Sequence, residues 1–252
     1  MINISKKLLR IVGQTNAKYQ MFEENDKILL GVSGGKDSMV LSHILNHFSH
    51  VSPLKWTFET VSVGYGINED FGKVSANLKQ YGIKHTIINT KIFDIGKEKV
   101  RENSTFCSFC SRMRRGHLYT YALENGFNKV AIAHHFDDAA ESFFMNFTYN
   151  GSLRTLAPKY KAENGLILIR PLILARERQI RDCAFKNNLP IMNEEDFCPA
   201  KNYTGKEPTA RADTKELLAK FERENPKFFK SLESAFSNIC KDTFFHPDYL
   251  KA

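Results

Sequence analysis

The run Ser33-Gly34-Gly35-Lys36-Asp37-Ser38 carries, within six residues, the groups that a nucleotide phosphate requires. Two adjacent glycines let the backbone approach phosphate oxygens without a Cβ in the way. Lys36 can neutralise phosphate charge and Asp37 can hold Mg²⁺, while the hydroxyls of Ser33 and Ser38 can donate hydrogen bonds. The run follows an apolar segment and precedes a helical pattern, and a helix start adds unpaired N–H groups and a positive dipole end. The pattern therefore predicts a nucleotide phosphate site, in preference to a glycine turn capped by serine.

A second polar run, Ala133-His134-His135-Phe136-Asp137-Asp138, also stands between an apolar segment and a helical pattern. Ligands of parallel sheets bind where strands end and helices begin, so this run is expected at the same edge of the sheet as the first. The alternative is structural, because Asp137 can simply cap the helix N-terminus.

The chain has five cysteines, Cys107, Cys110, Cys183, Cys198 and Cys240. The odd number, in a chain with no export signal at its start, favours a metal or catalytic use over a disulfide framework. Cys107 and Cys110 form a C-x-x-C pair, a spacing that lets two thiolates reach one metal ion. Taken alone the pair fits half of a zinc ribbon or a redox pair as well. Cys183 falls in a helical apolar pattern and is expected to be buried, and Cys240 is expected not to be a ligand.

These motifs need a sheet to position them, and the apolar periodicity supplies one. Strands are predicted at 27–32, 56–63, 84–89, 129–133 and 165–169, and helices at 4–22, 37–48, 68–81, 111–125, 137–149 and 176–187. The stretch between the third strand and residue 111 is expected to be irregular. Strands that alternate with helices of this length indicate an α/β fold, a parallel sheet with helices on both faces.

The absence of a long linker favours one core domain with short N- and C-terminal helical additions. We assign 1–25 to an N-terminal helix and 26–192 to a nucleotide-binding α/β domain that carries the C-x-x-C insert. Residues 193–252 form a polar loop with Cys198 and closing helices, expected at 213–224 and 226–240.

The formal charge of the 252-residue chain is +8, which favours polyanionic partners such as nucleic acid. No stretch approaches the roughly 18 to 20 consecutive apolar residues of a membrane span, so no membrane partner is expected. The first residues lack the apolar run of a signal peptide, which predicts a cytoplasmic protein.

The phosphate run differs from a Walker A loop, because only three residues separate Gly31 from Gly35 and Asp37 follows the lysine. It resembles the PP-loop of the ATP pyrophosphatase superfamily, whose fold is adenine nucleotide α-hydrolase-like. That resemblance implies cleavage of ATP between its α and β phosphates, with AMP left on the substrate. The His-His-x-Asp-Asp run is similar to one that lines the nucleotide pocket in PP-loop enzymes acting on tRNA. The resemblance implies that His134 binds nucleotide and that Lys36, Asp37 and Asp138 are catalytic.

The segment Cys107-Ser-Phe-Cys-Ser-Arg-Met-Arg-Arg-Gly116 closely resembles the cysteine signature of the TtcA-type tRNA 2-thiocytidine synthetases. The similarity continues through Ile169-Arg170-Pro171-Leu172 and the pair Arg176-Glu177. In that family the cysteine pair and a third cysteine hold a 4Fe–4S cluster with one iron free of protein ligands. Cys198 stands where the third cysteine belongs, and the acidic run 194–196 replaces a second cysteine that family members often carry there. The family also has an acidic residue soon after the second strand, whereas here the first one is Glu69.

The resemblance implies an enzyme that uses ATP to adenylate, and then 2-thiolate, the cytidine at position 32 of a tRNA anticodon loop. A cysteine desulfurase or other sulfur donor is the implied second partner, and a homodimer is compatible with the sequence. Phosphates of the tRNA backbone are expected at Arg112, Arg114 and Arg115, unless these form only a solvated helix face. One rival is another PP-loop tRNA-modifying enzyme, of the lysidine or 2-thiouridine type. A second rival is a zinc-stabilised RNA-binding module, although structural zinc prefers four ligands.

Overall fold

Strands and helices alternate along the chain in the computed structural model, which describes residues 1–99, 106–192, 209–240 and 243. The strands are β1 (Lys27–Gly31), β2 (Thr57–Val63), β3 (His85–Ile88), β4 (Lys129–Ala131), β5 (Lys159–Lys161) and β6 (Ile167–Ile169). The helices are α1 (Lys6–Tyr19), α2 (Lys36–Val51), α3 (Gly72–Gln80), α4 (Ile92–Lys99), α5 (Phe106–Glu124), α6 (Phe136–Asn150), α7 (Glu177–Lys186), α8 (Thr209–Glu224) and α9 (Phe228–Phe236).

The six strands form one sheet in the order β3-β2-β1-β4-β6-β5. All neighbours are parallel except β5 and β6, which pair antiparallel at the edge. The central β1 is buried on both faces, with Ile28, Leu29 and Leu30 inaccessible to solvent, which is why it reads as a continuous apolar run. The predicted α/β fold with a parallel sheet is thus confirmed. Because β1 and β4 are parallel neighbours, the two polar runs that follow them lie side by side.

A polar cluster at the amino ends of β1 and β4 fixes the register of these two strands. The side chain of Asn128 donates to Asp26 at 2.7 Å and accepts from the backbone N–H of Lys27 at 2.8 Å. The ammonium of Lys129, 1% exposed, lies 2.6 Å from the carboxylate of Asp26. Buried charge is tolerated only when it is paired, so this cluster tolerates no slip of one strand past the other. The relative position of the two functional loops depends on it.

The main differences from the sequence-based expectation concern α4, α5 and β5. The segment expected to be irregular contains α4, and α5 begins at Phe106, five residues before the predicted start at Ser111. The cause is tertiary: Ile92 and Phe93 of α4 are buried against Phe106 and Cys110 of α5. A Cβ placed on Gly96 would lie 2.9 Å from the ring of Phe106, so a glycine that weakens an isolated helix allows this close approach. The short strand β5 was also missed, because three residues carry too little periodicity.

The chain forms two compact units. The first is built on Met1–Ala139 and the described part of 156–208, and it contains the sheet. The second is built on Ala140–Thr155 and the described part of 209–252. In the second unit, phenylalanines of α6, α8 and α9 pack ring against ring, among them Phe144, Phe221 and Phe228. Within the described ranges, no helix has both the length and the apolar character needed to cross a membrane.

Candidate functional site

The loop after β1 is shaped by its two serines. The hydroxyl of Ser38 accepts from the N–H of Ser33 at 3.2 Å and donates to the carbonyl of Gly35 at 3.0 Å. The hydroxyl of Ser33 accepts from the N–H of Gly35 at 3.2 Å. These bonds curl the backbone around the start of α2, whose N-cap residue Gly35 provides no side-chain cap. An N-terminus without a side-chain cap leaves backbone donors and the positive dipole end for an anion, as the sequence predicted.

Gly34 has a positive φ of 86°. Its carbonyl accepts from the N–H of Met192 at 2.9 Å, and a Cβ on residue 34 would lie 2.8 Å from Cγ of Met192. Glycine is therefore required for the backbone conformation and for the space against Met192.

We expect Gly34→Ala to lower the free energy of unfolding by about 1–2 kcal/mol, the cost of a left-handed conformation for an L residue. The same substitution should weaken Mg·ATP binding, because the backbone donors of the loop shift. Gly116→Ala is the matched control: Gly116 lies in α5, a Cβ there meets no atom within 4 Å, and helix propensity favours alanine. Thermal unfolding and titration calorimetry measure both effects, and equal melting temperatures for the two variants would contradict the expectation.

Lys36 and Asp37 open α2 and face the sheet edge. The Nζ of Lys36 lies 3.3 Å from Oδ2 of Asp37 and 3.0 Å from Oε1 of Glu177. Burial disfavours the charged ammonium, but the attraction of Asp37 and Glu177 outweighs it and raises the pKa of Lys36. The pKa of Asp37 is raised mainly because burial disfavours its charged carboxylate. The negative charge of Asp138 adds to this rise, whereas His135 and Lys36 oppose it.

The Oδ1 atom of Asp37 is a buried acceptor to which no described residue donates a hydrogen bond. A carboxylate oxygen in this condition, beside a phosphate loop, fits a hard cation such as Mg²⁺. No group of three or more His, Cys, Asp or Glu residues in the described ranges forms a complete metal site. Mg²⁺ commonly binds through one or two carboxylates and completes its coordination shell with water and substrate phosphates.

The side chains of the His-His-x-Asp-Asp run after β4 make different contacts. The carboxylate of Asp138 accepts from the backbone N–H of His135 at 2.9 Å, and Nδ1 of His135 lies 3.3 Å from the N–H of Asp138. This reciprocal pair caps the N-terminus of α6. The ring of His135 is buried, and its Nε2 lies 3.8 Å from Oδ1 of Asp37. His135 thereby links the second run to the phosphate loop.

Asp137 is directed to α7. Its carboxylate accepts from Nε and Nη2 of Arg176 at 3.0–3.1 Å, and from the backbone N–H of Glu177 at 2.7 Å. Paired hydrogen bonds between a guanidinium and a carboxylate fix orientation as well as distance. The sequence had offered a capping role for Asp137, whereas the structure gives the cap to Asp138 and makes Asp137 the anchor of α7.

A cavity of about 360 Å³ opens at the carboxyl ends of β1, β2 and β4. Its polar lining includes Tyr65, Arg114, His134 and Arg170. The Nη1 atom of Arg114 donates to the hydroxyl of Tyr65 at 2.8 Å, and Nε of Arg170 donates to Nδ1 of His134 at 3.1 Å. Its apolar lining comes from the strand ends, with Val32, Val61 and Ile132 among its members. A cavity with an apolar floor and cationic rim suits a heterocycle joined to phosphate.

Glu69 closes the loop that follows β2. Its carboxylate accepts from the backbone N–H groups of Tyr65, Gly66 and Ile67, the last at 3.0 Å. The sequence contains no acidic residue nearer to the strand, and the structure shows that Glu69 reaches back to the strand end. It holds Tyr65 at the cavity.

Cys107 and Cys110 lie within the first five residues of α5, three residues apart and so on one helix face. Cys107 is half-buried and Cys110 is buried against Val63 and Phe93. Two thiolates at this spacing suit a soft metal centre. Cys198, the predicted third ligand, lies outside the described residues. Cys183 is buried in α7, as the sequence predicted, and Cys240 is exposed.

The three arginines after the cysteines differ in exposure. Arg112 and Arg115 are exposed and Arg114 is half-buried, and both Arg114 and Arg115 line the cavity. Tyr65, Arg170, Arg176 and Glu177 were given no role by the sequence. The signal available for the last two was the family resemblance, which includes the pair Arg176-Glu177 but gives neither residue a role.

Comparison with known proteins gives a consistent result. The family model described as a PP-loop domain matches residues 3–196. The tRNA-cytidine(32) 2-sulfurtransferase of Geobacter metallireducens is 39% identical over 238 residues, 93% of this chain and 90% of that protein. The protein of the same name from Pseudomonas syringae pv. syringae is 36% identical over 240 residues, 94% of this chain and 85% of that one.

Among solved structures, the U34-tRNA thiolase NcsA from Methanococcus maripaludis, determined with its 4Fe–4S cluster, superposes with a TM-score of 0.75. The match covers 92% of this chain and 77% of that one, at 24% identity. At this level of identity the match bears on the fold, which is shared.

Proposed function

This chain belongs to the PP-loop family and, within it, to the tRNA-cytidine(32) 2-sulfurtransferases, and from that premise we propose how its residues perform ATP-dependent tRNA thiolation. The observation that carries the proposal is the adjacency of three features at one sheet edge. These are the phosphate loop with the orphaned Oδ1 of Asp37, the His-His-x-Asp-Asp run, and the cavity that Arg114 lines.

ATP fits this edge with its phosphates at the N-terminus of α2 and its adenosine in the cavity. The donors of residues 34–38 and the ammonium of Lys36 bind phosphate oxygens. Apolar side chains from the ends of β1, β2 and β4 pack on the base. The α-phosphate then lies between the loop and the open side of the sheet edge, where a tRNA base can approach it.

The chemistry is activation followed by displacement. The 2-oxygen of the cytidine attacks the α-phosphate, pyrophosphate leaves, and the base carries AMP. Sulfur then adds to C2 and AMP departs with the original oxygen. Lys36 stabilises the charge that develops on the leaving pyrophosphate, and Asp37 would hold Mg²⁺, which supplies further charge neutralisation at the same oxygens. Asp138 and Asp137 hold the surrounding helices in place through the cap of α6 and the anchor of α7.

The proposed role of the cysteines is in the sulfur-transfer step. Cys107 and Cys110, with Cys198 as the third ligand, would hold a 4Fe–4S cluster. A three-cysteine cluster leaves an iron position that can carry sulfide. The residues present fit such a cluster, because two cysteines lie on one helix face near the start of α5. The fold shared with a thiolase determined with such a cluster supports the same assignment.

The tRNA and the sulfur donor complete the proposal. The exposed Arg112 and Arg115 would contact backbone phosphates of the anticodon stem-loop, which gives binding a steep salt dependence. A cysteine desulfurase or another sulfur carrier supplies the sulfur. Because a desulfurase delivers it as a persulfide, a thiol reductant must provide the two electrons that convert it to sulfide. A homodimer is the proposed assembly.

The decisive experiment is nucleoside analysis of tRNA. In a strain that lacks this gene, digested tRNA should contain no 2-thiocytidine, and the wild-type gene should restore it. The control is the same gene with Lys36→Ala, which should not restore it. Unchanged 2-thiocytidine, with loss of 2-thiouridine or lysidine instead, would move the protein to another class of PP-loop tRNA enzyme.

A further inference from the structure

Lys36 is held between two carboxylates. Its Nζ lies 3.0 Å from Glu177 and 3.3 Å from Asp37, and all three side chains are about one quarter exposed, at 25–27%. The charge of the lysine is thus already offset before any phosphate contacts it. A nucleotide phosphate that binds at the N-terminus of α2 must compete with these carboxylates for the same ammonium.

Glu177 is fixed more firmly than its surface position suggests. It is the first residue of α7, where the helix dipole favours a negative side chain. Its backbone N–H donates to Asp137, and its neighbour Arg176 makes the paired contacts with the same carboxylate. Helix α7 packs against α2, the helix that Lys36 begins. The backbone of Glu177 therefore stays in place, and only its side chain can turn away from Lys36.

We propose that Glu177 is a positioning residue of the phosphate loop, which competes with the phosphates of ATP for Lys36 and so sets the affinity of the loop for nucleotide. The inference rests on the proposed ATP site. It gives a role to Glu177, a residue that the family resemblance includes without assigning it one. Glu177 keeps the ammonium extended toward the sheet edge and releases it to the phosphates. Because the lysine contacts phosphate in both the bound substrate and the transition state, Glu177 acts on binding and not on the chemical step.

Glu177→Gln tests this directly, because glutamine keeps the shape and the hydrogen-bonding reach but removes the competing charge. Mg·ATP binding, measured by calorimetry on the whole protein without tRNA, should tighten by about two- to fivefold, the range expected for a partly exposed ion pair. In thiolation assays KM for ATP should fall by a similar factor while kcat stays within about twofold. Glu177→Asp keeps the charge and should stay near the wild-type affinity.

Glu59→Gln is the matched control. Glu59 also forms an ion pair with a lysine, Lys84, at a distance of 2.8 Å, and this pair lies outside the phosphate loop. The control substitution should leave Mg·ATP binding unchanged. Unchanged or weaker binding in a folded Glu177→Gln variant, judged by an unaltered melting temperature, overturns the positioning role alone. A wild-type protein that does not bind Mg·ATP overturns the nucleotide site itself, and with it this inference.

Discussion

Lys36→Ala is expected to abolish production of AMP and pyrophosphate from ATP in the presence of tRNA and a sulfur source. The substitution removes the cation of the phosphate loop. The departing pyrophosphate then lacks the group that neutralises its developing charge. Removal of one such electrostatic contact costs roughly 10²- to 10³-fold in rate. The carboxylates of Asp37 and Glu177 would then face the phosphates without the intervening ammonium, which adds repulsion to the loss.

Chromatography of the nucleotides measures this prediction, with thiolated tRNA as the second readout. Lys84→Ala is a suitable control, because Lys84 is exposed and pairs with Glu59 outside the loop. The fold should survive, since only a quarter-exposed loop side chain is truncated, and circular dichroism checks this. Formation of ADP and phosphate by the wild-type enzyme would contradict the proposal that ATP is cleaved between its α and β phosphates.

Substitution of Cys107 or Cys110 by Ser is expected to remove bound iron, the broad visible absorbance and thiolation activity together. A serine oxygen is a poor ligand for a cluster that thiolates hold, so loss of one ligand leaves too few. The same outcome is expected for Cys198→Ser. The protein must be prepared without oxygen, because a cluster with an exposed iron is sensitive to oxidation.

Cys183→Ser and Cys240→Ser provide the matched controls, and both should retain iron, absorbance and activity. Cys240 is exposed, so its replacement should be silent. Cys183 is buried, and burial raises the pKa of its thiol, so it behaves as a small apolar residue. Its replacement should cost only modest stability. Anaerobic protein that binds zinc, contains no iron and remains fully active would contradict the cluster assignment.

The sequence by itself determined the chemistry that depends on local residue type. Ser33–Ser38 is recognisable because a phosphate loop needs glycine, lysine and a helix start within a few residues. The alternation of strands and helices then placed both polar runs at one sheet edge, because parallel strands end together. The structure confirms this arrangement through the pairing of β1 with β4.

Only the tertiary structure decided which member of each run does what. Nothing local distinguishes Asp137 from its neighbour Asp138, yet the first anchors α7 and the second caps α6. The same is true of Glu69, whose loop brings it back to the strand end, and of α4, which forms because it packs on α5.

The pairing of Lys36 with Glu177 is the clearest case. These residues lie at the starts of two helices far apart in the chain, and their contact exists because α7 packs on α2 and Asp137 fixes its first turn. Motifs of neighbouring residues can be recognised directly in the sequence, because their members are held close together by the chain itself. Contacts between distant elements depend on how the whole sheet and its helices pack, and no local pattern encodes them.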